Sequence, residues 1–290
     1  PYVYIRAKAA ALAAATIEVT RLRKPAARKA MVATAAHPRD EARVPVPESH
    51  PLARLFADPN ERDTPGDLLA DVATQLDLTG PAQFLSRLPD AKVDLVWDSL
   101  APVPTDAGFS ILPTATFADV PQADLLCVPG GIGVAKVINH APALDWVRQV
   151  GSEAQWVTSV CTGALILGAA GLLKGYRATT HWAWHDLLAL FGAEPVQARH
   201  VIDRNRATGG GVTAGIDFAL ALMAEIAGED HARAVQLALE YDPAPPFDGG
   251  CPAKAGAALV DVYTARANRL APHRREELIA AAHRLGFSDD

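Results

Sequence analysis

Cysteine is scarce in this sequence, and neither long apolar runs nor an excess of positive charge are present. The 290 residues include three cysteines, which match neither a disulfide framework nor a C-x-x-C zinc pattern. No apolar run reaches the roughly 18 residues that a membrane-spanning helix needs. The net charge of -6 provides no general field for nucleic acid or an anionic membrane surface. We therefore expect no nucleic-acid or membrane partner and, because free thiols suit a reducing compartment, a cytoplasmic protein.

The beginning of the chain differs in composition from the rest. It is first rich in alanine and arginine and then rich in proline and charged residues. An arginine-rich, acid-poor beginning also occurs in transit peptides, but a weakly ordered extension or a misassigned start is the interpretation we favour. We predict a poorly ordered or atypical extension over residues 1–60 and a folded domain over residues 61–290.

From about Leu68 onward, short apolar runs alternate with helical patterns. This alternation is typical of an α/β fold with a mostly parallel sheet. Predicted strands span residues 93–97, 125–128 and 156–160. Predicted helices span residues 81–88, 143–153, 162–170, 183–191, 213–227, 230–239, 257–270 and 274–285. The second and third strands end in Pro-Gly-Gly and Cys-Thr-Gly, so we expect the chemistry at the carboxyl edge of the sheet.

Cys161 lies between a predicted strand and a predicted helix, in SVCTGALILGAAGLL. Helix N-terminal N–H groups and the helix dipole favour a thiolate there and lower the thiol pKa, which predicts a nucleophile. The alternative is a small buried cysteine at a strand end. Cys127, within LLCVP, is predicted to belong to the core, and Cys251, within GGCP, is interpreted as incidental.

Asp77, in QLDLTGP, is the candidate for proton transfer. The alternative interpretation is that its carboxylate caps a helix. The PGGIG segment at residues 129–133 either forms a simple turn or brings backbone N–H donors beside the thiolate. It lacks the G-x-G-x-x-G spacing of a dinucleotide site, so no nicotinamide cofactor is predicted.

His181 and His185 have a spacing that permits a metal pair, but no H-E-x-x-H motif or acidic third ligand accompanies them. We therefore predict no metal site, and His181 either lines the pocket or caps the next element. Three consecutive glycines, with Gly210 in the middle, predict unusual dihedral angles or very close packing. Asp217, in the following helix, is interpreted as a partner of the helix dipole.

Three segments resemble the PfpI-type, class I glutamine amidotransferase-like superfamily: SVCTGALILGAAGLL, RATTHWAWHDLL and GGGVTAGIDFALALMAE. Within it, LDLTGP and LEYDPAPPFDGGCP are similar to the isocyanide hydratases. The resemblance covers the chain from about Leu68 to Arg284. It implies a flavodoxin-like, doubly wound, mostly parallel sheet with helices on both faces, and a homodimer. It also implies that water is added to an isocyanide, giving an N-substituted formamide, without a cofactor.

The resemblance assigns catalytic roles to Cys161, Asp77 and Thr162. Expected substrate-binding residues are Gly131, Ile132, His181 and Gly210. The Cys161 thiolate would attack the isocyanide carbon while Asp77, or a proton that it relays, protonates that carbon. Water would then hydrolyse the resulting thioimidate.

The sequence departs from the family before Asp77, where the family has an apolar first strand. Here the aligned stretch is DTPGDLLADVATQ, in which Leu68 and Leu69 are the clearly strand-like residues. Either the strand is shortened or this part of the chain is not the ancestral one.

Two other functions remain open. AraC-type regulators carry a domain with similar SVCTGA and TTHW segments, but the residues after Pro252 are too few for their two helix-turn-helix units. The other is a redox sensor, glyoxalase or deglycase of the same superfamily. These commonly use a glutamate where this chain has Asp77, and the aspartate and the PAPPF segment favour the hydratase.

Overall fold

A computed structural model describes residues 2–6 and 73–287 of the chain. The strands are β1 (Tyr2–Arg6), β2 (Lys92–Trp97), β3 (Val103–Pro104), β4 (Ser110–Ile111), β5 (Ala115–Thr116), β6 (Leu125–Val128), β7 (Trp156–Val160), β8 (Arg177–Ala178), β9 (Glu194–Pro195), β10 (His200–Asp203) and β11 (Arg206–Gly209). The α-helices are α1 (Gln75–Leu85), α2 (Val134–Asn139), α3 (Ala141–Glu153), α4 (Gly163–Ala169), α5 (Ala214–Ala227), α6 (Glu229–Ala238), α7 (Pro252–Ala255), α8 (Ala257–Leu270) and α9 (Arg274–Arg284). Two 3-10 helices span Phe117–Asp119 and Trp182–Phe191.

The main sheet has seven strands in the order β10-β11-β7-β6-β1-β2-β5. Strands β6, β7 and β11 pair in parallel, as do β2 and β5. Strand β1 runs antiparallel to both of its neighbours, and β10 runs antiparallel to β11. Strands β2, β5, β6, β7 and β11 therefore share one direction, which confirms the predicted mostly parallel sheet.

Strand β1 occupies the middle of this sheet, between β2 and β6. The start of the chain thus belongs to the sheet, although residues 1–60 were predicted as an extension. For residues 7–60 that prediction lies outside the described residues, and so does the strand-like stretch at Leu68 and Leu69. A strand from a distant part of the chain fills a central position of the sheet.

Helices cover both faces of the sheet, as predicted for a doubly wound α/β fold. On one face, α1, α5 and α6 pack through buried apolar side chains such as Phe84, Phe218 and Val235. On the other face, α2, α3, α4, α9 and the longer 3-10 helix pack through residues such as Leu165 and Phe191. No helix within residues 2–6 and 73–287 is long and apolar enough to cross a membrane.

The helix that carries Asp77 begins earlier than predicted. Because proline is common in the first helical turn, the sequence suggested a start at Pro81. In the structure α1 begins at Gln75 and Pro81 lies inside it, so one helical hydrogen bond is missing there. Asp77 therefore lies in the first turn of α1 rather than before the helix. The predicted α-helix at residues 183–191 was also wrong in type, because it is a 3-10 helix.

Candidate active site

Three strand ends meet at the carboxyl edge of the sheet. Strand β6 leads into Pro129 and Gly130, β7 leads into Cys161, and β11 leads into Gly210. Because β6, β7 and β11 are neighbours and parallel, their following turns lie side by side. The sequence prediction that this edge carries the functional groups is consistent with this placement.

Cys161 lies on a sharp turn with a left-handed backbone, at φ 55°. A residue with a side chain rarely adopts this conformation, and neighbouring bonds must hold it there. The Cys161 N–H donates to the carbonyls of Gly209 (3.1 Å) and Gly210 (2.8 Å). The Thr180 hydroxyl donates to the Cys161 carbonyl at 2.6 Å. Hydrogen bonds to both the N–H and the carbonyl of Cys161 therefore stabilise the predicted elbow between strand and helix.

Asp77 is fully buried and its carboxylate is tied to the loop after β6. The Gly130 N–H donates to Asp77 Oδ2 at 3.0 Å, whereas Oδ1 is buried and no described residue completes a hydrogen bond to it. The helix-cap alternative is wrong, because the N-cap of α1 is Thr74 and the Asp77 side chain makes no cap bond. The Asp77 carboxylate therefore belongs to the site rather than to the end of α1.

Asp77 and Cys161 are near enough to change each other's proton affinity. Burial raises the pKa of Asp77 to about 8, opposed by the Gly130 N–H and the Cys161 thiol. Burial also raises the pKa of Cys161, and the facing Asp77 carboxylate raises it further, while the Thr162 N–H opposes both. The predicted lowering of the thiol pKa was wrong, since burial and a nearby negative charge outweigh the helix N-terminus.

Thr162 fixes the turn after β6 against the elbow. Its hydroxyl accepts a hydrogen bond from the Gly131 N–H (2.9 Å) and donates to the Gly131 carbonyl (2.9 Å). Gly131 itself has φ 153°, which suits glycine. Thr162 and Gly131 thus lie together at the site, as predicted. The Thr162 hydroxyl is bonded to the Gly131 backbone on both sides rather than directed at open space.

Gly130 lies in the tightest part of the site. A β-carbon at this position would come within 2.5 Å of the Thr162 nitrogen and 2.9 Å of Asp77 Oδ2. Only glycine lets the loop approach both groups this closely. The sequence indicates the PGGIG segment but carries no sign that Gly130 is the residue that holds the carboxylate.

Two of the other predicted substrate-binding residues, His181 and Gly210, make hydrogen bonds that stabilise the fold. The Nδ1 atom of His181 accepts the Ala183 N–H at 3.2 Å, so His181 caps the longer 3-10 helix. Gly210 supports the Cys161 backbone, and its own N–H donates to the Arg199 carbonyl at 2.9 Å. Ile132 is partly exposed in the turn before α2, and no described contact joins it to Cys161.

The Tyr263 ring, from helix α8, lies near the elbow and was not predicted from the sequence. The Tyr263 ring stacks on His181 with centroids 5.7 Å apart and lies 5.0 Å from the Trp182 ring. The His181 ring lies beside Gly211, next to the glycine that supports Cys161. Burial raises the pKa of Tyr263, and a negative charge on Cys161 raises it further. Tyr263 is 82 residues away from His181 in sequence, so no local signal reveals this contact.

A cavity of about 610 Å³ is lined in part by the loop after β6. Its apolar wall includes Trp97, Val103 and Val134, and the backbone of Gly130 and Gly131 also lines it. Neither Cys161 nor Asp77 lines this cavity. The loop after β6 therefore lines the cavity, but the Cys161 thiol does not.

The other two cysteines and Asp217 lie where the sequence predicted them. Cys127 is fully buried in β6 and Cys251 is exposed, as predicted for a core residue and a loop residue. Asp217 lies in the first turn of α5, as its interpretation as a dipole partner requires. It is also bound by the Arg199 guanidinium and by the Tyr241 hydroxyl.

Comparison with known proteins identifies the family of the chain. The model of the DJ-1/PfpI family matches residues 68–225. An isonitrile hydratase of Pseudomonas putida is 53% identical over 222 residues, which cover 77% of this chain and 97% of that protein. A crystal structure of a THiJ/PfpI family protein from Pseudomonas syringae is 45% identical, with a TM-score of 0.67, and covers 73% of this chain and 86% of that one. The chain belongs to the DJ-1/PfpI family.

A regulator of Pseudomonas aeruginosa, the HTH-type transcriptional regulator GbdR, also matches. It is 32% identical over 136 residues, which cover 46% of this chain and 35% of that protein. The similarity with the regulator is thus restricted to a part of each chain, whereas the similarity with the isonitrile hydratase extends over nearly all of that protein. The difference favours the enzyme over the regulator.

Proposed function

We propose that this protein is an isocyanide hydratase, which adds water to an organic isocyanide and releases an N-substituted formamide. The observation that carries the proposal is the buried pair of Asp77 and Cys161, in which a carboxyl group with a pKa of about 8 faces a thiol on a strained turn. The similarity to the Pseudomonas putida isonitrile hydratase supports the same reaction. Isocyanide hydration needs a nucleophile for the terminal carbon and a proton for the same atom, and the pair supplies both.

In the first step the pair holds one proton between sulfur and carboxylate. The Cys161 sulfur bonds to the isocyanide carbon while the proton passes through Asp77 to that carbon. One C–S bond and one C–H bond form, and the carbon–nitrogen triple bond becomes the double bond of a thioimidate. Because the carbon receives both groups, a single positioned pair is sufficient for this step.

In the second step water attacks the thioimidate carbon. Asp77, now a carboxylate, takes a proton from the water and passes it to nitrogen, giving a tetrahedral adduct on Cys161. The adduct hydroxyl then returns its proton to Asp77 as the C=O bond forms and the C–S bond breaks. The formamide leaves and the pair again holds one proton.

Purified protein incubated with cyclohexyl isocyanide tests this proposal, with N-cyclohexylformamide quantified by chromatography. We expect formamide that forms in proportion to enzyme, and none above background with Cys161→Ala. The Cys127→Ala variant is the matched control, because that thiol is also buried but lies within a strand. Formamide formation by Cys161→Ala at the normal rate would contradict the proposal.

We also propose a homodimer in the cytoplasm. Support for the dimer comes from three large apolar side chains that are exposed around the β3–β4 hairpin, Leu100, Phe109 and Leu112. Exposed apolar side chains of this size are common at interfaces. Support for the cytoplasm comes from the free thiols of the three cysteines, which suit a reducing compartment. Light scattering at micromolar concentration tests the dimer, and a monomeric mass would contradict it.

A further inference from the structure

Arg274, the first residue of α9, lies beside the aromatic group that approaches the elbow. Its guanidinium carbon is 4.8 Å from the centroid of the Trp184 ring. The backbone N–H of Trp184 donates to the backbone carbonyl of His181 at 2.9 Å. Beyond the effect of burial, the Arg274 charge also lowers the pKa of His181 and opposes the rise in the pKa of Tyr263, so the two stacked rings lie near this cation. We call His181, Trp182, Tyr263 and Arg274 the Arg274 cluster.

One N–H group of the Arg274 guanidinium has no acceptor. Its Nη1 atom is buried and makes no hydrogen bond to any described residue. A buried donor without a partner is costly, and a charged donor more so. Such groups in a ligand-binding region are commonly satisfied by the ligand itself, and a guanidinium matches a carboxylate in shape and charge.

Beside Arg274, two guanidinium groups share the negative charge of one carboxylate. Asp186 is the carboxylate that acts on Arg274, and the Arg275 guanidinium already binds it. His181 carries no charge near neutral pH, because burial lowers its pKa to about 4. The Arg266 charge acts on Tyr263 and opposes the rise of its pKa. The region therefore favours an anionic group over a neutral one.

We propose that the Arg274 cluster is the specificity-determining site for the organic substituent of the isocyanide, and that it selects aromatic substituents that carry a carboxylate. The His181, Trp182 and Tyr263 rings contact the aromatic part, and the Arg274 guanidinium binds the carboxylate. This inference deepens the proposed function and depends on it. It concerns the substituent only, because the reacting carbon meets Cys161 and Asp77.

A pair of substrates that differ in one charge tests the inference. The probes are 4-isocyanobenzoate and methyl 4-isocyanobenzoate, and the readout is the ratio of their kcat/KM values. We expect the wild-type enzyme to prefer the acid, and Arg274→Gln to reduce that preference by about 10- to 100-fold, as for the loss of a charged hydrogen bond. The loss should appear mainly in KM for the acid, since the guanidinium does not contact the reacting atoms.

Arg233→Gln is the matched control, because Arg233 forms an exposed ion pair with Glu229 on α6, and its preference should equal that of the wild type. An equal or greater kcat/KM for the ester in the wild-type enzyme overturns the inference without any variant. An Arg274→Gln enzyme with unchanged preference also overturns it. Failure of the proposed function is separate: in that case neither probe nor cyclohexyl isocyanide is hydrated.

Discussion

The Gly130 N–H donates to Asp77 Oδ2 at 3.0 Å across 53 residues of sequence. This bond joins the loop after β6 to the first turn of α1. It holds the carboxyl group beside the Cys161 elbow, and it leaves Oδ1 without a completed bond. The site therefore depends on three separate segments, each of which ends or begins at the carboxyl edge of the sheet.

Replacement of Asp77 by asparagine should slow isocyanide hydration by roughly 10²- to 10⁴-fold, the usual worth of a positioned proton donor. The amide keeps the shape of the side chain but cannot carry the proton to the isocyanide carbon. The measurement is kcat/KM for cyclohexyl isocyanide. Asp145→Asn serves as control, since that carboxylate pairs with Arg148 on the surface. A fully active Asp77→Asn enzyme would remove the carboxylate from the mechanism.

The rate should depend on pH because the Asp77–Cys161 pair must hold one proton. Below the Asp77 pKa of about 8, both groups are protonated in a growing fraction of the enzyme, and neither can accept the thiol proton. We expect log kcat/KM to rise by about one for each pH unit between pH 6 and pH 7.5. A rate that stays constant over this range would show that the carboxyl group is ionised throughout.

Some of the site could be predicted from the sequence because its signals are local. A strand that runs directly into Cys161 and a helix of small residues indicated the elbow, and the PGG turn indicated the neighbouring loop. The bond between Gly130 and Asp77 could not be predicted, because it joins distant segments. The direction of the thiol pKa was wrong for the same reason: the helix N-terminus is a local feature, whereas burial and the Asp77 charge come from the tertiary fold.

The central strand β1 was not predicted, although its sequence YVYIR has the aromatic and β-branched residues typical of a strand. Its residues precede the region of family resemblance, and the residues around Leu68 are aligned with the family's first strand instead. The pairing that fills the sheet is a relation between distant segments, for which composition provides no signal. The strands β6 and β7, in contrast, are continuous apolar runs and were predicted with the observed bounds.

Replacement of Gly130 by alanine should impair catalysis strongly. The added β-carbon would overlap the Thr162 nitrogen and hydroxyl oxygen and press on Asp77 Oδ2, so the loop must move and the carboxyl group with it. Because a displacement of about 1 Å can cost ~10²-fold, we expect a loss of at least that size in kcat. Gly249→Ala is the matched control, as no atom lies within 4 Å of its added carbon. Equal activity of the two variants would contradict the close contact.

Replacement of Tyr4 by proline tests the role of β1 in the sheet. Tyr4 pairs with Asp94 on one side and with Leu126 on the other, and proline removes a ladder hydrogen bond in a central strand. We expect a loss of at least about 1 kcal/mol, or about 2 to 4 °C in Tm. Gly249→Pro, in an exposed loop outside the sheet, should leave Tm unchanged. An unchanged Tm for Tyr4→Pro would show that the sheet does not depend on β1.

The mass of the protein during turnover tests the central claim, which is covalent catalysis by Cys161. Wild-type enzyme mixed with cyclohexyl isocyanide and quenched in acid within milliseconds is analysed by intact-protein mass spectrometry. Formation of the thioimidate adds the whole mass of the isocyanide, because the thiol proton stays in the adduct on carbon. We predict this adduct on the peptide that contains Cys161, with none in Cys161→Ala, and its decay as formamide appears. Formamide production at full rate without an adduct at any time, or with the adduct only on Cys127 or Cys251, would contradict the account.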